Sequence, residues 1–379
     1  MASWSPQQEG ALKAVSRWLK SARVGNAPQV FRLFGYAGTG KTTLAKEIAG
    51  AAKGEVLFGA FTGKAAHVLH RKGCTGASTI HSMIYKLEDG EREQPRFVLN
   101  YDSAVKEADL VIIDEVSMVD EALGRDLLSF GTPVLVLGDP AQLPPVSGQG
   151  FFTAHEPDVM LTEVHRQAKE SPIIQMATDI RQGGRLSIGD FGLARVIHRE
   201  EVTAQGVLEA DQVLVGLNKT RHLYNARIRT LKGREKPEPV VGDKLVCLKN
   251  SKEKKLLNGS LWTVRETPKP RKLDKRDGTT PLVVVPDDEG AKEVEIDVRV
   301  KNEFWTGRES DLDWKEKRGT EEFTFGYALT THKAQGSQWE NVMVFDESAT
   351  FREDAPRWLY TAVTRAAKQL TVVIDRRAS

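Results

Sequence analysis

Val30-Phe-Arg-Leu-Phe34-Gly35-Tyr36-Ala-Gly38-Thr39-Gly40-Lys41-Thr42-Thr43-Leu44 decides the fold. Residues 30–34 are apolar except for Arg32 and read as a buried strand. Residues 44–52 carry small and apolar residues at helical spacing. Between strand and helix stands Gly-x-x-x-x-Gly-Lys-Thr, the pattern of a phosphate-binding loop. Glycine lets such a loop curl until its N–H groups point at phosphate oxygens. The following helix N-terminus adds partial positive charge. Gly35, Gly38, Thr39, Gly40, Lys41, Thr42 and Thr43 are therefore the candidate nucleotide cradle. Lys41 is expected on the β and γ phosphates and Thr42 on Mg²⁺, so ATP and Mg²⁺ are the expected cofactors.

Two further strands deliver polar residues in the same manner. Leu110-Val-Ile-Ile-Asp114-Glu115 is a buried strand ending in two carboxylates. Asp114 is the candidate metal ligand, and Glu115 the candidate general base for an attacking water. Val134-Leu-Val-Leu-Gly138-Asp139-Pro-Ala-Gln142 repeats the arrangement, with Gln142 placed to position the water or sense the γ phosphate. Taken singly, each is also the sequence of an ordinary strand-end turn. Short apolar runs at 55–60, 213–217, 342–345 and 370–374 read as strands too. Apolar strands separated by helical stretches predict an α/β fold with mostly parallel sheets, whose ligands bind at the carboxyl ends of the strands.

Composition narrows the partners. The chain has 379 residues, 40% hydrophobic and 28% charged, enough for two or three packed domains. Lys and Arg total 54 against 52 Asp and Glu, which excludes a polybasic binder but not a local basic groove. The two cysteines, Cys74 and Cys247, stand too far apart for a disulfide framework or a cysteine zinc site. No apolar run approaches membrane-spanning length, and the start has no signal-like pattern. The expectation is a soluble protein of the bacterial cytoplasm or an infected host cell, with no membrane partner.

Residues 236–322 read differently. Val241-Gly-Asp243 leads into an apolar run, Asn258-Gly259 signals a hairpin turn, and Pro268, Pro270, Pro281 and Pro286 cut the rest short. This predicts a small β module inserted in an α/β stretch. Residues 249–276 hold ten basic and three acidic side chains, while 287–322 hold seven and thirteen. That segregation is either a solvated mixed surface or one basic face for a polyanion. A polar interruption at 86–101 predicts a protruding hairpin.

The order of the motifs resembles superfamily 1 DNA helicases of the RecD and Dda type. Ser5-Pro-Gln7-Gln8 resembles their adenine-reading motif, with Gln8 the reader. Phe61-Thr62-Gly63-Lys64-Ala-Ala and Ser78-Thr79-Ile-His81 resemble the next two, and the strands ending at Asp114 and Gly138 the metal and coupling motifs. Leu161-Thr-Glu-Val-His165-Arg166-Gln resembles the first motif of a second motor domain. Tyr327-Ala-Leu-Thr-Thr331-His332-Lys333-Ala-Gln335-Gly336-Ser is similar to the DNA-contact motif, and Leu359-Tyr-Thr-Ala-Val-Thr-Arg365-Ala to the last. Trp4 and Phe61 stand where the family has Leu and Pro.

The resemblance implies two RecA-like motor domains. The first is expected over 1–150, with a wedge hairpin at about 86–101. The second is expected over 151–235 and 323–379, interrupted at 236–322 by an SH3-like barrel. It implies ATP in a cleft between the motors, Arg166 and Arg365 on the γ phosphate, and Gly336 at the nucleotide. Thr62, Lys64, Thr79, His81, Phe97, Thr331, His332, Lys333 and Gln335 are the implied DNA contacts. Phe61, Tyr101 and Trp305 are further candidates for base stacking. The expected activity is ATP-driven, 5′ to 3′ movement on single-stranded DNA with separation of forked or tailed duplexes, by a monomer. Partners could include a single-strand-binding protein or replication and recombination proteins. The alternatives are a DNA-dependent translocase without efficient unwinding and a small-molecule phosphotransferase.

Overall fold

The computed structural model describes residues 4–88, 96–145, 148–164, 170–251, 253–287 and 294–376. It divides into two units, Met1–Arg181 and Gln182–Ser379.

In the first unit the strands are β1 (Val30–Gly35), β2 (Val56–Ala60), β3 (Ser78–Thr79), β4 (Tyr85–Glu88), β5 (Arg96–Leu99), β6 (Leu110–Asp114), β7 (Val134–Gly138) and β8 (Val159–Leu161). Six form one parallel sheet in the order β3-β2-β6-β7-β1-β8. Strand β6 is buried throughout because both faces of the sheet are covered. Its alternation shows this directly. Leu110 and Ile112 pack with Val15, Trp18, Leu44 and Leu69 of α1 (Pro6–Ala22), α2 (Lys41–Ala51) and α3 (Gly63–Arg71). Val111 and Ile113 turn to the opposite cluster, with Ile80, Leu123 and Leu127 of α4 (Ile80–Ile84) and α5 (Glu121–Leu128). Registers bring the carboxyl ends level: Phe34 lies opposite Gly138, and Ala60 opposite Asp114. The predicted hairpin is the antiparallel pair β4–β5, with Phe97 opposite Leu87.

The expected domain boundary at 150 moves. Strand β8 adds beside β1, Gly35 opposite Leu161, so the first unit continues to Arg181. Three residues carry no periodicity, and this strand was invisible in the sequence.

The second unit holds β9 (Gly189–Asp190), β10 (Ala194–His198), β11 (Gln212–Val215), β12 (Lys244–Cys247), β13 (Leu261–Glu266), β14 (Thr279–Pro286), β15 (Ile296–Lys301), β16 (Phe323–Phe325), β17 (Ala328–Thr330), β18 (Trp339–Phe345) and β19 (Ala366–Ile374). One sheet runs β17-β11-β18-β19-β10-β9, parallel except for β9. The predicted β module is a five-stranded antiparallel sheet, β15-β14-β13-β12-β16. Its core is Leu245, Trp262, Val264, Leu282, Val298, Phe304 and Phe323. Asn258 and Gly259 do turn the chain, through a bond from the Ser260 amide to the Leu257 carbonyl. The turn ends a longer excursion rather than joining β12 directly to β13.

A buried ionic knot fixes where the module leaves the second unit's parallel sheet. Asp243 is fully buried; Arg234 lies 2.7 Å from its Oδ1, Arg229 donates to both its oxygens at 3.2 Å, and the Tyr327 hydroxyl donates to it at 2.9 Å. Deleting one partner of such a cluster strands a charge in the interior. Among the described residues no helix is long and apolar enough to cross a membrane.

Candidate functional site

The loop between β1 and α2 has the shape its glycines allow. Gly38 and Gly40 adopt φ of 78° and 82°, the left-handed region that a Cβ disfavours. A Cβ on Gly35 would stand 2.6 Å from Thr39 Oγ1. The Thr39 hydroxyl donates to the Tyr36 carbonyl at 2.8 Å. Lys41 Nζ donates to the Gly35 carbonyl at 2.6 Å and to that of Tyr36 at 3.1 Å. No side chain caps α2, whose N-cap is Gly40, so its first amides can serve an anion. Arg181, the last residue of the first unit, lays its guanidinium on the Tyr36 ring at 3.6 Å. Sequence reading missed this pair because nothing in the spacing links the two positions.

The metal and water groups meet at the neighbouring strand ends. Thr42 Oγ1 donates to Asp114 Oδ2 at 3.1 Å, and the Glu115 amide donates to Asp114 Oδ1 at 2.8 Å. Burial, with the Glu115 charge second, pushes the Asp114 carboxyl above its usual range; Lys41 acts in the opposite sense. A buried carboxylate beside a hydroxyl is a donor set that suits Mg²⁺. Thr42 and Asp114 would hold the ion, which supplies charge neutralisation for the phosphates. Glu115 itself sits at φ 55°, ψ 46°. A non-glycine residue held there is strained, as residues at working sites are. Gln142 follows the β7 turn, buried, and its Oε1 has no hydrogen-bond partner among the described residues.

Gln8 is buried behind the loop. Its side chain accepts from the Ser5 amide at 3.0 Å and donates to the Thr39 carbonyl at 3.1 Å, tying the start of α1 to the phosphate loop. The Gln7 amide clasps the exit of β8: its Oε1 accepts from the Thr162 and Glu163 amides at 2.8 and 2.9 Å.

The implied strand contacts fall into different environments. Thr62 and Thr79 cap α3 and α4, accepting from the Ala65 and Ser82 amides. Lys64 is buried. His81 is exposed and stands between the rings of Phe61 and Tyr85, at 6.4 and 5.4 Å. Phe97 and Tyr101 are 63% and 71% exposed, large values for such rings. In the second unit Thr331 has no exposure and its hydroxyl donates to the Val215 carbonyl; Gln335 is buried too. Of the four candidates there, only His332 and Lys333 are partly exposed. The His332 ring packs on Phe351 at 5.7 Å, and its burial pushes the imidazole below its usual range. Lys333 donates to Asn258 Oδ1 of the β module at 3.3 Å. Gly336 has φ 72°. Trp305 is not a stacking surface: it lies in the module core, with its indole N–H on Thr280. Arg365 is buried, donating to the Thr361 and Ser337 carbonyls and to the Thr364 hydroxyl. Arg166 lies outside the described residues.

Comparison with known proteins agrees with this geometry. The AAA domain family matches residues 8–201, and the UvrD-like helicase C-terminal domain matches 325–373. The ATP-dependent RecD2 DNA helicase of Deinococcus radiodurans is 31% identical over 368 residues, covering 88% of this chain and 45% of that protein. The ATP-dependent DNA helicase dda of Enterobacteria phage T4 is 35% identical over 164 residues, 39% of this chain and 37% of that one. The chain thus spans less than half the length of these relatives. The crystal structure of Pif1 helicase from Bacteroides in complex with ADP-AlF3 and ssDNA has the same fold, with a TM-score of 0.59 at 18% identity over 100% of this chain and 94% of that one. A phosphate loop beside a Thr42–Asp114–Glu115 cluster, in a chain whose residues 8–201 match the AAA domain and whose residues 325–373 match the UvrD-like helicase C-terminal domain, places this protein in the AAA domain family.

Proposed function

We propose that this protein is an ATP-dependent DNA helicase that moves 5′ to 3′ along a single strand and separates the duplex ahead of it. The observation that carries the reading is the convergence of Lys41, Thr42, Asp114 and Glu115 at the carboxyl ends of β1 and β6. Lys41 and the α2 amides bind the phosphates. Thr42 and Asp114 hold Mg²⁺. Glu115 takes the proton of the attacking water, and Gln142 orients that water. Gln8 reads the adenine from its anchored position behind the loop. Arg166 and Arg365 supply the positive charge of the hydrolytic step, as the resemblance implies. Thr62, His81, His332 and Lys333 hold the strand, mainly through its backbone, so binding is independent of sequence and weakens with salt. The five-stranded module serves as an SH3-like barrel.

The direct test compares ATP-driven strand separation on two partial duplexes, one with a 5′ and one with a 3′ single-stranded tail. Unwinding of the 5′-tailed substrate alone is expected. Unwinding of the 3′-tailed one reverses the polarity. Failure on both, with hydrolysis still stimulated by single strands, replaces the helicase with a translocase.

The exposed Phe97 on the β4–β5 hairpin is the wedge in this scheme. Phe97→Ala is expected to lower the unwinding rate about tenfold, through one lost base stack of roughly 1–3 kcal/mol. ATP hydrolysis stimulated by single strands should stay within about twofold. Equal losses in the two assays would exclude a wedge.

A further inference from the structure

Part of the segregated charge of the β module is cancelled in space. Lys249 pairs with Glu322, Lys254 with Glu321, Arg265 with Glu295, and Lys244 with Asp287, at 3.3, 2.7, 3.8 and 3.5 Å. Three of the ten cations of the basic run, Lys249, Lys254 and Arg265, are thus answered by the acidic run that follows it.

Five of the other seven cations lie in the excursion between β13 and β14. Its sequence is Thr267-Pro-Lys269-Pro-Arg271-Lys272-Leu273-Asp274-Lys275-Arg276-Asp277-Gly278. Both carboxylates are held by Arg299, Asp274 buried and Asp277 partly exposed. Asp274 is 4% exposed and accepts from Arg299 Nε at 2.7 Å, the Thr279 hydroxyl at 3.1 Å and the Arg271 amide at 2.8 Å. Burial alone would raise its carboxyl; these bonds outweigh burial and hold it below the usual range. Asp277 is taken by Arg299 at 3.2 Å and by Arg276 at 2.9 Å. A single arginine of β15 thus anchors the acids of the short helix Lys272–Asp277 to the module. The cations are left outside. Lys269, Arg271, Lys272 and Lys275 are all exposed, and none forms an ion pair among the described residues. Pro268 and Pro270 stiffen the approach, so the four charges are held on a short, anchored frame.

Lys269 and Arg271 precede the helix in extended chain of about 3.3 Å per residue, and Lys272 and Lys275 lie on it at about 1.5 Å per residue, so the four cations fall within roughly 15 Å of chain. Duplex DNA carries one negative charge per about 1.7 Å of its axis, twice the density of either strand alone. Ordering four cations side by side is repulsive unless a dense polyanion lies against them. We infer that residues 267–276 form a docking surface for the phosphate backbone of duplex DNA, separate from the motor motifs that hold the single strand. The inference rests on the proposed helicase function and adds a second contact to it.

The test is a variant carrying K269A, R271A, K272A and K275A, all exposed positions. Binding to a labelled forked duplex and to a labelled single strand is measured across a salt series. Each phosphate contact contributes about 0.9 to the log–log salt slope on duplex DNA. The slope for the fork should become shallower by about three, and affinity at about 0.1 M salt should fall at least tenfold. Binding of the single strand, and hydrolysis stimulated by it, should not change. A control removes the same charge elsewhere, with K13A, R17A, K20A and K53A, and should leave the fork slope as it was. An unchanged fork slope, an equal loss on the single strand, or the same effect in the control overturns the inference alone. Absence of DNA binding by the parent protein overturns the helicase reading along with it.

Discussion

Glu115→Gly is expected to make the protein more stable and to stop it from hydrolysing ATP. Glu115 holds φ 55° and ψ 46°, a conformation that costs a side-chain-bearing residue about 1–2 kcal/mol. Glycine relieves that strain but loses more chain entropy on folding, which returns roughly 0.5–1 kcal/mol. Removing the carboxylate also removes a charge that opposes ionisation of buried Asp114. The net gain should be on the order of 1 kcal/mol, or about 2–4 °C in Tm for a unit of this size. Glu115→Gln separates the two effects. It keeps the strain and the shape but cannot accept the proton of a water. Loss of a positioned general base costs about 10²–10⁴ in rate, so both variants should lose turnover on that scale while still binding nucleotide. Thermal unfolding read beside phosphate release checks both halves. A Glu115→Gly protein that melts earlier would show that the left-handed backbone is no burden. A Glu115→Gln protein within tenfold of the parent would remove Glu115 from the chemistry.

Such a residue shows where sequence reading succeeds and where it stops. The strands of the two main sheets that were legible, β1, β2, β6, β7, β11, β18 and β19, each carry a mostly apolar run of three residues or more, because burial on both faces leaves little polar alternation to confuse. β3, β8 and β17 have two or three residues each and are defined by their neighbours rather than by any pattern of their own. Missing β8 misplaced the domain boundary by some thirty residues. The meeting of Lys41, Thr42 and Asp114 at neighbouring strand ends was legible because a phosphate-loop pattern constrains residue type and spacing together. The strain at Glu115 was not, since a left-handed glutamate looks in sequence like any other. Contacts with a nucleic-acid backbone are the least legible class. Thr331 and Lys333 are two residues apart in one motif, yet one hydroxyl is sealed in the interior and one ammonium reaches Asn258. Local sequence does not separate a threonine that caps or packs from one that meets a phosphate. Trp305 failed for a related reason, because an aromatic residue in a β module belongs to its core unless something turns it out.

Lys41→Ala should have the largest effect of any single substitution in the chain. Lys41 has two partners in this structure, the Gly35 and Tyr36 carbonyls, and it also lowers the pKa of Asp114. The same ammonium therefore bears on loop shape, phosphate charge and the metal carboxylate. Alanine leaves two carbonyls facing the site where a polyanion must enter, and it pushes the Asp114 carboxyl further above its usual range, against Mg²⁺ binding. Loss of phosphate stabilisation in the transition state alone is worth about 10³ or more in rate. Hydrolysis should fall below detection, and the Mg²⁺ concentration needed for nucleotide binding should rise. Lys41→Arg should not rescue turnover, because a planar guanidinium is no substitute for a compact ammonium that must sit between two carbonyls and then reach past them. Folding should be almost untouched, since Lys41 is only partly buried. The measurements are single-turnover hydrolysis and an Mg²⁺ titration of nucleotide binding, each beside a thermal melt. A Lys41→Ala protein that melts normally and hydrolyses ATP within tenfold of the parent would mean that the Gly35–Thr43 loop is not where the phosphates bind.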